Sequence, residues 1–249
     1  MSPLLAGAVV VPVLALCTAT ATAQQTAPPA LSKFSTARPD GPLPAGWHAL
    51  VVSRLKDTTD YRLVKDDGVT VVEAFADASA SGLEHDIRVD LKEFPLLAWR
   101  WKVSALIAGA DNTRRRTEDS PARVIVTFEG DSSTLSYRER LFALQMRALT
   151  GYDFPYATLM YIWENRAPVG TVIPNRNTSR IKMIVVESGG AALGRWRDEM
   201  RNVYEDYRRA FGEEPPAVRS IGIMTDTDNT GGTARAFYGD IAFERAAGR

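Results

Sequence analysis

VRSIGIMTDTDNTGGTARAFYGDIAFE, residues 218–244, decides the fold class. In its first arm Arg219, Ile221, Ile223 and Thr225 alternate with Val218, Ser220, Gly222 and Met224. In its second, Phe237, Gly239, Ile241 and Phe243 alternate with Tyr238, Asp240, Ala242 and Glu244. A period of two puts successive side chains on opposite faces, so each arm reads as a strand and the pair as a β-hairpin or as two strands of a sandwich. The link carries Asp226, Asp228, Asn229 and Thr230 ahead of Gly231-Gly232. Such residues suit a turn, because Asp and Asn bond their own backbone and Gly supplies positive φ. Alternating oxygen ligands also suit a hard cation, which makes Asp226, Asp228 and Asn229 candidate calcium ligands.

The rest of the chain repeats the two-residue period. Leu83, His85, Ile87, Val89 and Leu91 alternate with Glu84, Asp86, Arg88 and Asp90, and Leu97, Trp99, Trp101 and Val103 with Ala98, Arg100 and Lys102. Val124, Val126 and Phe128 form another row, as do Ala157, Leu159, Tyr161 and Trp163, and Arg180–Glu187 reads as a further strand. Asp66-Asp67-Gly68 between two apolar runs signals a hairpin, and the small residues of Asp77–Gly82 read as a loop. Two stretches read as helices. Ser136-Tyr137-Arg138-Glu139 opens one over Ser136–Thr150 with a capping box. Trp196, Met200, Val203, Tyr207 and Phe211 form one stripe of the other, from Leu193 to Phe211. Strand-like runs without β-α alternation argue against a parallel α/β fold. The expected architecture is mostly β: an antiparallel two-sheet, jelly-roll-like sandwich with two inserted helices, its first and last strands close together.

The chain has 249 residues, 45% hydrophobic, enough to bury a real core within one large domain, placed at residues 46–245. Thirty basic residues balance thirty acidic ones, so no global field draws nucleic acid or a membrane. Residues 1–23 lack charge, carry a short apolar run and end Ala21-Thr22-Ala23, a signal-peptide pattern with cleavage before Gln24. Leu16 is too large for a lipoprotein site before Cys17, so export without a lasting membrane anchor is expected. The Pro-rich residues 24–45 read as a flexible linker.

Three constellations could carry chemistry. In the loop 110–119, Asp111, Asn112, Glu118 and Asp119 surround Arg114-Arg115-Arg116, which reads as self-compensating charge or as a site for phosphate or carboxylate. Arg100, Lys102, Arg123 and Arg180 lie opposite apolar rows, as does Lys182. They read either as cross-strand partners of Glu84, Asp86 and Asp90 or as one anion-binding sheet surface. Tyr152 and Tyr156 would then supply a stacking wall for a sugar ring. Tyr161, Trp163, Trp99 and Trp101 share faces with aliphatic residues and read as core. His48 and His85 have no metal spacing, and no nucleophile elbow, zinc-protease or phosphate-loop motif occurs. Paired carboxylates for glycoside hydrolysis stay open, because their separation is the test.

WRWKV (99–103), ADNTRRRTEDSPARVIVTF, YATLMYIWENRAPVGTVIPN, RIKMIVVESG, RNVYEDYRRAFGEEPP and IGIMTDTDNTGGTARAFYGDI together resemble the bacterial domain-of-unknown-function 3047 (DUF3047) family. The resemblance spans Trp47 to Glu244, with the TRRR segment more basic than the usual pattern. It implies export from a Gram-negative cell and a likeness to jelly-roll carbohydrate-binding modules, and it transfers no catalytic residue. The combined expectation is a periplasmic or secreted, non-catalytic protein whose partner is a glycan or another small anionic ligand. A polysaccharide-active hydrolase or lyase is the alternative, and an envelope scaffold the third reading.

Overall fold

Alternating side chains drive this chain into strands that can bury one face only by meeting a second sheet. The computed structural model describes residues 27–246. In chain order it holds β1 (Trp47–Leu50), β2 (Asp60–Asp66), β3 (Val69–Asp77), β4 (Ala80–Val89), β5 (Leu96–Val103) and β6 (Ser120–Phe128). Helix α1 (Tyr137–Thr150) precedes β7 (Ala157–Glu164), β8 (Val172–Pro174), β9 (Ile181–Ser188) and β10 (Arg197–Asn202). Helix α2 (Val203–Phe211), β11 (Val218–Asp226) and β12 (Thr233–Glu244) close the chain. A seven-stranded sheet runs β1-β4-β11-β6-β7-β9-β8 and a five-stranded sheet β10-β5-β12-β3-β2. β7 and β9 pair in parallel, and the other neighbours are antiparallel. The jelly-roll-like sandwich is therefore observed. β11 and β12 belong to different sheets, so the stretch 218–244 is an arch across the sandwich and not a hairpin. β1 sits at the edge of one sheet and β12 inside the other, so first and last strands are not sheet neighbours.

The core is aromatic. Trp99 of β5 stacks on Tyr161 of β7 with ring centroids 5.1 Å apart, and Trp101 meets Trp163 at 6.1 Å. All four rings are buried, as their rows required. Each large side chain taken fully from water contributes about 1.5–3 kcal/mol. The Asp67-Gly68 turn has φ of 48° and 82°, the double positive φ that a two-residue hairpin demands. The expected loop 77–82 shrinks to Ala78-Ser79, where the chain steps from one sheet to the other.

Two expectations need correction. Residues 193–211 are not one helix: Arg197–Asn202 is the edge strand β10, paired along β5, and α2 begins only where the Asn202 side chain accepts from the Glu205 amide at 3.1 Å. The edge of the five-stranded sheet offers that segment backbone partners, which outweigh its helical spacing, and Met200 is left exposed. Helix α1 forms as expected, with Ser136 capping the Glu139 amide and Gly151 left-handed at φ 83°. Its apolar residues do not enter the core, however; Leu141, Leu144 and Leu149 remain 43%, 63% and 48% exposed. The second correction concerns residues 27–45, which are a packed strap and not a free linker. Phe34 is buried 4.6 Å from the Trp47 ring, the Trp47 indole donates to the Ser32 carbonyl, and Ser35 bonds Asp240 of β12. The signal-peptide reading of residues 1–23 lies outside the described residues.

One carboxyl marks the open side between the sheets. Burial, then the nearby charge of Glu187, pushes Glu199 of β10 from 4.5 up to about 7. A raised acid favours the fold while protonated, so this contribution is complete below about 4.5 and is lost as pH rises through 7. Because Glu199 is only half-buried, screening reduces the effect to about 1 kcal/mol. Glu199→Gln should therefore raise the melting temperature at pH 8 by about 2–4 °C and leave it unchanged at pH 4. Thermal melts of both proteins across that range check it.

Candidate functional site

Residues of β6, β7 and β11 that face away from the core converge on one cavity. The register places Met224 beside Arg123 and Arg123 beside Ile162, with Ile125 beside Met160 on the next row. On a solvated sheet this face would be polar, yet β6 is buried along its whole length. Residues 112–119 and 175–177 lie over that face. Beneath them is a cavity of about 340 Å³, with Met160 and Met224 among its apolar lining and Arg123, Glu118, Asn175, Asp226 and Asp228 among its polar groups.

Arg123 organises this site. It is 2% exposed, and every nitrogen of its guanidinium has a partner. Nε donates to Asp226 Oδ1 at 2.7 Å and Nη2 to Asp226 Oδ2 at 3.0 Å. Nη2 also reaches the Glu118 carbonyl at 3.0 Å and Asn112 Oδ1 at 3.3 Å, while Nη1 approaches the Met183 sulfur at 3.2 Å. Burial pulls the Arg123 charge down, but Asp226, with Glu118 and Asp119, holds it above the usual arginine value. Burial pushes Asp226 up to about 6 against the pull of Arg123, and Asp119 adds to the rise. Burial also raises the Glu118 carboxyl. Carboxyls outnumber cations here, so ionising the last of them is costly.

The link 227–232 is shaped from the same place. Asp119 accepts from the amides of Asn229 and Thr230 at 3.1 and 2.7 Å, from Asn229 Nδ2 at 3.1 Å and from Thr230 Oγ1 at 2.6 Å. Asp228 pairs with Lys56. Of the candidate calcium ligands, Asp226 and Asp228 lie with Asp119 so that one oxygen from each falls within 4.8 Å of the others. Asn229 turns its amide nitrogen to Asp119. Each of the three carboxylates thus already has protein donors, which is the turn-forming alternative in physical terms.

The six residues expected to form one ligand surface fall in separate places, although Arg100 and Lys102 share the Trp196 ring and Arg180 meets Tyr156. Arg100 and Lys102 lie on the outer face of the five-stranded sheet, where Arg100 covers the Trp196 ring at 4.2 Å and Lys102 pairs with Asp66. Arg123 belongs to the other sheet. Arg180, at the start of β9, donates to Glu213 at 2.8 Å and to the Tyr156 carbonyl at 2.9 Å, and lies over the Tyr156 ring at 4.2 Å. Tyr156 is thereby half-buried, and Tyr152 stands exposed beyond α1. The basic row spans two sheets, so it cannot be one surface. Its partners are Asp66, Asp198, Asp226 and Glu213, not Glu84, Asp86 and Asp90. Sequence reading missed Lys56, Asn175 and Met160. The alternation of β7 offered the last, since Met160 falls between the core residues Leu159 and Tyr161.

A family model described as "Protein of unknown function (DUF3047)" matches residues 45–242, nearly the whole sandwich. The chain belongs to this family. For this DUF3047 member, a search of curated proteins finds no match. Among solved structures it is similar to a family 12 xyloglucanase from Bacillus licheniformis in complex with ligand, at 8% identity and TM-score 0.37 over 81% of this chain and 100% of that one. It is also similar to a loop-swap mutant of Necallimastix patriciarum Xyn11A, at 6% identity and TM-score 0.36, covering 81% of this chain and 96% of that one. The xyloglucanase domain of NopAA, a type three effector from Sinorhizobium fredii in complex with cellobiose, gives 9% identity and TM-score 0.36 over 81% and 97%.

Two predictions follow from the Arg123 cluster of this DUF3047 protein. Arg123→Met leaves Asp226 buried without its cation, a loss of about 3–5 kcal/mol at pH 8. The melting temperature should fall by roughly 10 °C at pH 8 and by clearly less at pH 5, where a proton on Asp226 removes the uncompensated charge. The second concerns calcium. Binding to the native state alone must raise apparent stability. Because Arg123, Lys56 and the 229–230 amides already answer these carboxylates, melts with excess calcium and with chelator should coincide. Separated melts would make Asp119, Asp226 and Asp228 metal ligands.

Proposed function

We propose that this protein binds a glycan, without cleaving it, in the cavity on the outer face of the seven-stranded sheet. The observation that carries this reading is the lining itself. Carboxylate, amide and cationic side chains stand around an apolar floor of Met160 and Met224. Sugar hydroxyls both donate and accept, so a rim that alternates Glu118, Asn175, Asn177 and Asp228 can answer adjacent hydroxyls while the floor meets the C–H face of a ring. The engaged state of the acids favours binding over chemistry: Asp226 is held bidentately and Asp228 is ion-paired. Export belongs to the same reading, supported by the leader-like residues 1–23.

One observation favours a second reading, cleavage of a polysaccharide. Glu118 is raised by burial and shares the cavity with Asp226, and carboxyls of perturbed affinity in a cleft are candidates for acid-base work. A glycan array on the protein secreted by its host, whose intact mass should begin at Gln24, tests the main reading. Glu118→Gln and Asn177→Ala should each weaken a hit by about tenfold without moving the melting temperature, as expected for a lost hydrogen bond to a charged or amide partner. Product appearing from the bound glycan, and vanishing in Glu118→Gln, would establish the enzyme. No binding to any glycan would end both readings.

A further inference from the structure

We propose that the groove between helix α1 and the segment 174–182 is a second binding site, and that it takes a single-chain lipid anion. The groove has a volume of about 830 Å³, inside the range of roughly 300–1,000 Å³ typical of small-molecule sites. Its α1 side is apolar, formed by Leu141, Phe142, Met146 and Leu149. Among them, Leu141 and Leu149 belong to the helical spacing of Ser136–Thr150, and the fold leaves both at the surface. Leu141 and Leu149 are nearly half exposed. An apolar strip held open beside water is costly unless a ligand covers it.

The rim identifies that ligand. Arg115, Arg138 and Lys182 line the groove, and among the described residues their side chains have no hydrogen-bonding or ion-pairing partner. Arg176 lines it as well, with its guanidinium on the Thr113 carbonyl and its charge also felt by Glu118, though without an ion pair. The single acid, Glu139, is already taken by the Thr178 hydroxyl and the Ser179 amide at 2.9 Å, and these donors hold its pKa low against the opposing effect of burial. Four cations facing one satisfied carboxylate make the rim a field for an anionic head, while the leucines beside it fit an alkyl chain. A free anion would leave the apolar side bare and a neutral lipid would leave the cations unanswered. A carboxylate or phosphate carrying one acyl chain answers both. This site is separate from the glycan reading, although Arg115, Asn175 and Asn177 stand between the two cavities and line each of them.

Calorimetric titration of the full chain with dodecanoate below its micelle concentration tests the proposal, with acetate and dodecanol as controls. Dodecanoate should bind saturably, dodecanol at least about tenfold more weakly, and acetate not at all, since a charged hydrogen bond contributes at least that factor. The double variant Arg138→Gln, Lys182→Gln should lose at least about tenfold in affinity and melt with the wild type, because both side chains are outside the core. Leu141→Ser should lose affinity in the same assay. Absence of heat with dodecanoate, equal affinity for dodecanol, or binding unchanged in both variants would overturn it. Binding only to phosphatidylglycerol vesicles, with none to monomeric dodecanoate, would overturn it in favour of a membrane surface.

Discussion

A guanidinium in the middle of a sheet is tolerated only when its donors are answered, and that requirement shapes one whole side of this molecule. Arg123 projects from the central strand β6, and Asp226 answers it from the end of β11. Slipping β11 by one residue would send Asp226 into the aromatic core, so the pair fixes the register of the two strands. It also draws in the loop ahead of β6, through the Glu118 carbonyl and Asn112, and so roofs the cavity. Asp119 from that same loop then shapes the link between the sheets. Apolar replacements of buried ion pairs often gain stability, so stability alone does not account for the pair. Its distinctive effect is geometric: it sets where the rim groups of the cavity stand.

The equal number of acids and bases in the chain conceals a local separation. Around Arg123, the carboxyls of Glu118, Asp119, Asp226 and Asp228 gather, and two of them are raised by burial. Across the wall made by Arg115, Asn175 and Asn177, the α1 groove gathers cations instead. Screening in salt shortens the reach of exposed charge to roughly 10 Å, so two neighbouring cavities can keep opposite character. The five-stranded sheet is different again, because its Arg100 and Lys102 are spent on Trp196 and Asp66.

The sequence disclosed the fold better than the site, for a physical reason. Period-two alternation is set by the backbone, so the rows of β5 and β7 and the turn at Asp67-Gly68 were legible without partners. Which sheet a strand joins is a long-range matter, and so β11–β12 could be read as a hairpin or as an arch. Trp196 and Met200 share helical spacing with Val203, yet edge pairing to β5 overrode it. The site depends on a third kind of information, the faces that loops cover. Arg123 was recognised as facing away from an apolar row, but nothing local announces that residues 112–119 will bury it. Grouping it with Arg100 failed because identical alternation occurs on two sheets, and grouping it with Arg180 failed because that side chain, on the same sheet, turns to Glu213 and the Tyr156 carbonyl.

Helix α1 shows where topology stops explaining sequence. β6 and β7 are adjacent and antiparallel, with Phe128 opposite Ala157, so a two-residue turn could join them. The chain instead spends residues 129–156 on the connection. The helix does not add to the core: apart from Thr150 its residues are not buried, although Phe142 anchors it edge-on to Phe154 at 5.2 Å. In α2, by contrast, Tyr207 packs against Phe128 of β6 and its stripe closes one end of the sandwich. The same helical period therefore has two outcomes, and the difference is what each helix lies over. α2 covers strand residues, while α1 covers the segment 174–182 and leaves its leucines beside unpaired cations. A capped helix held in that position, contributing little to folding, is a surface element whose apolar side awaits a ligand.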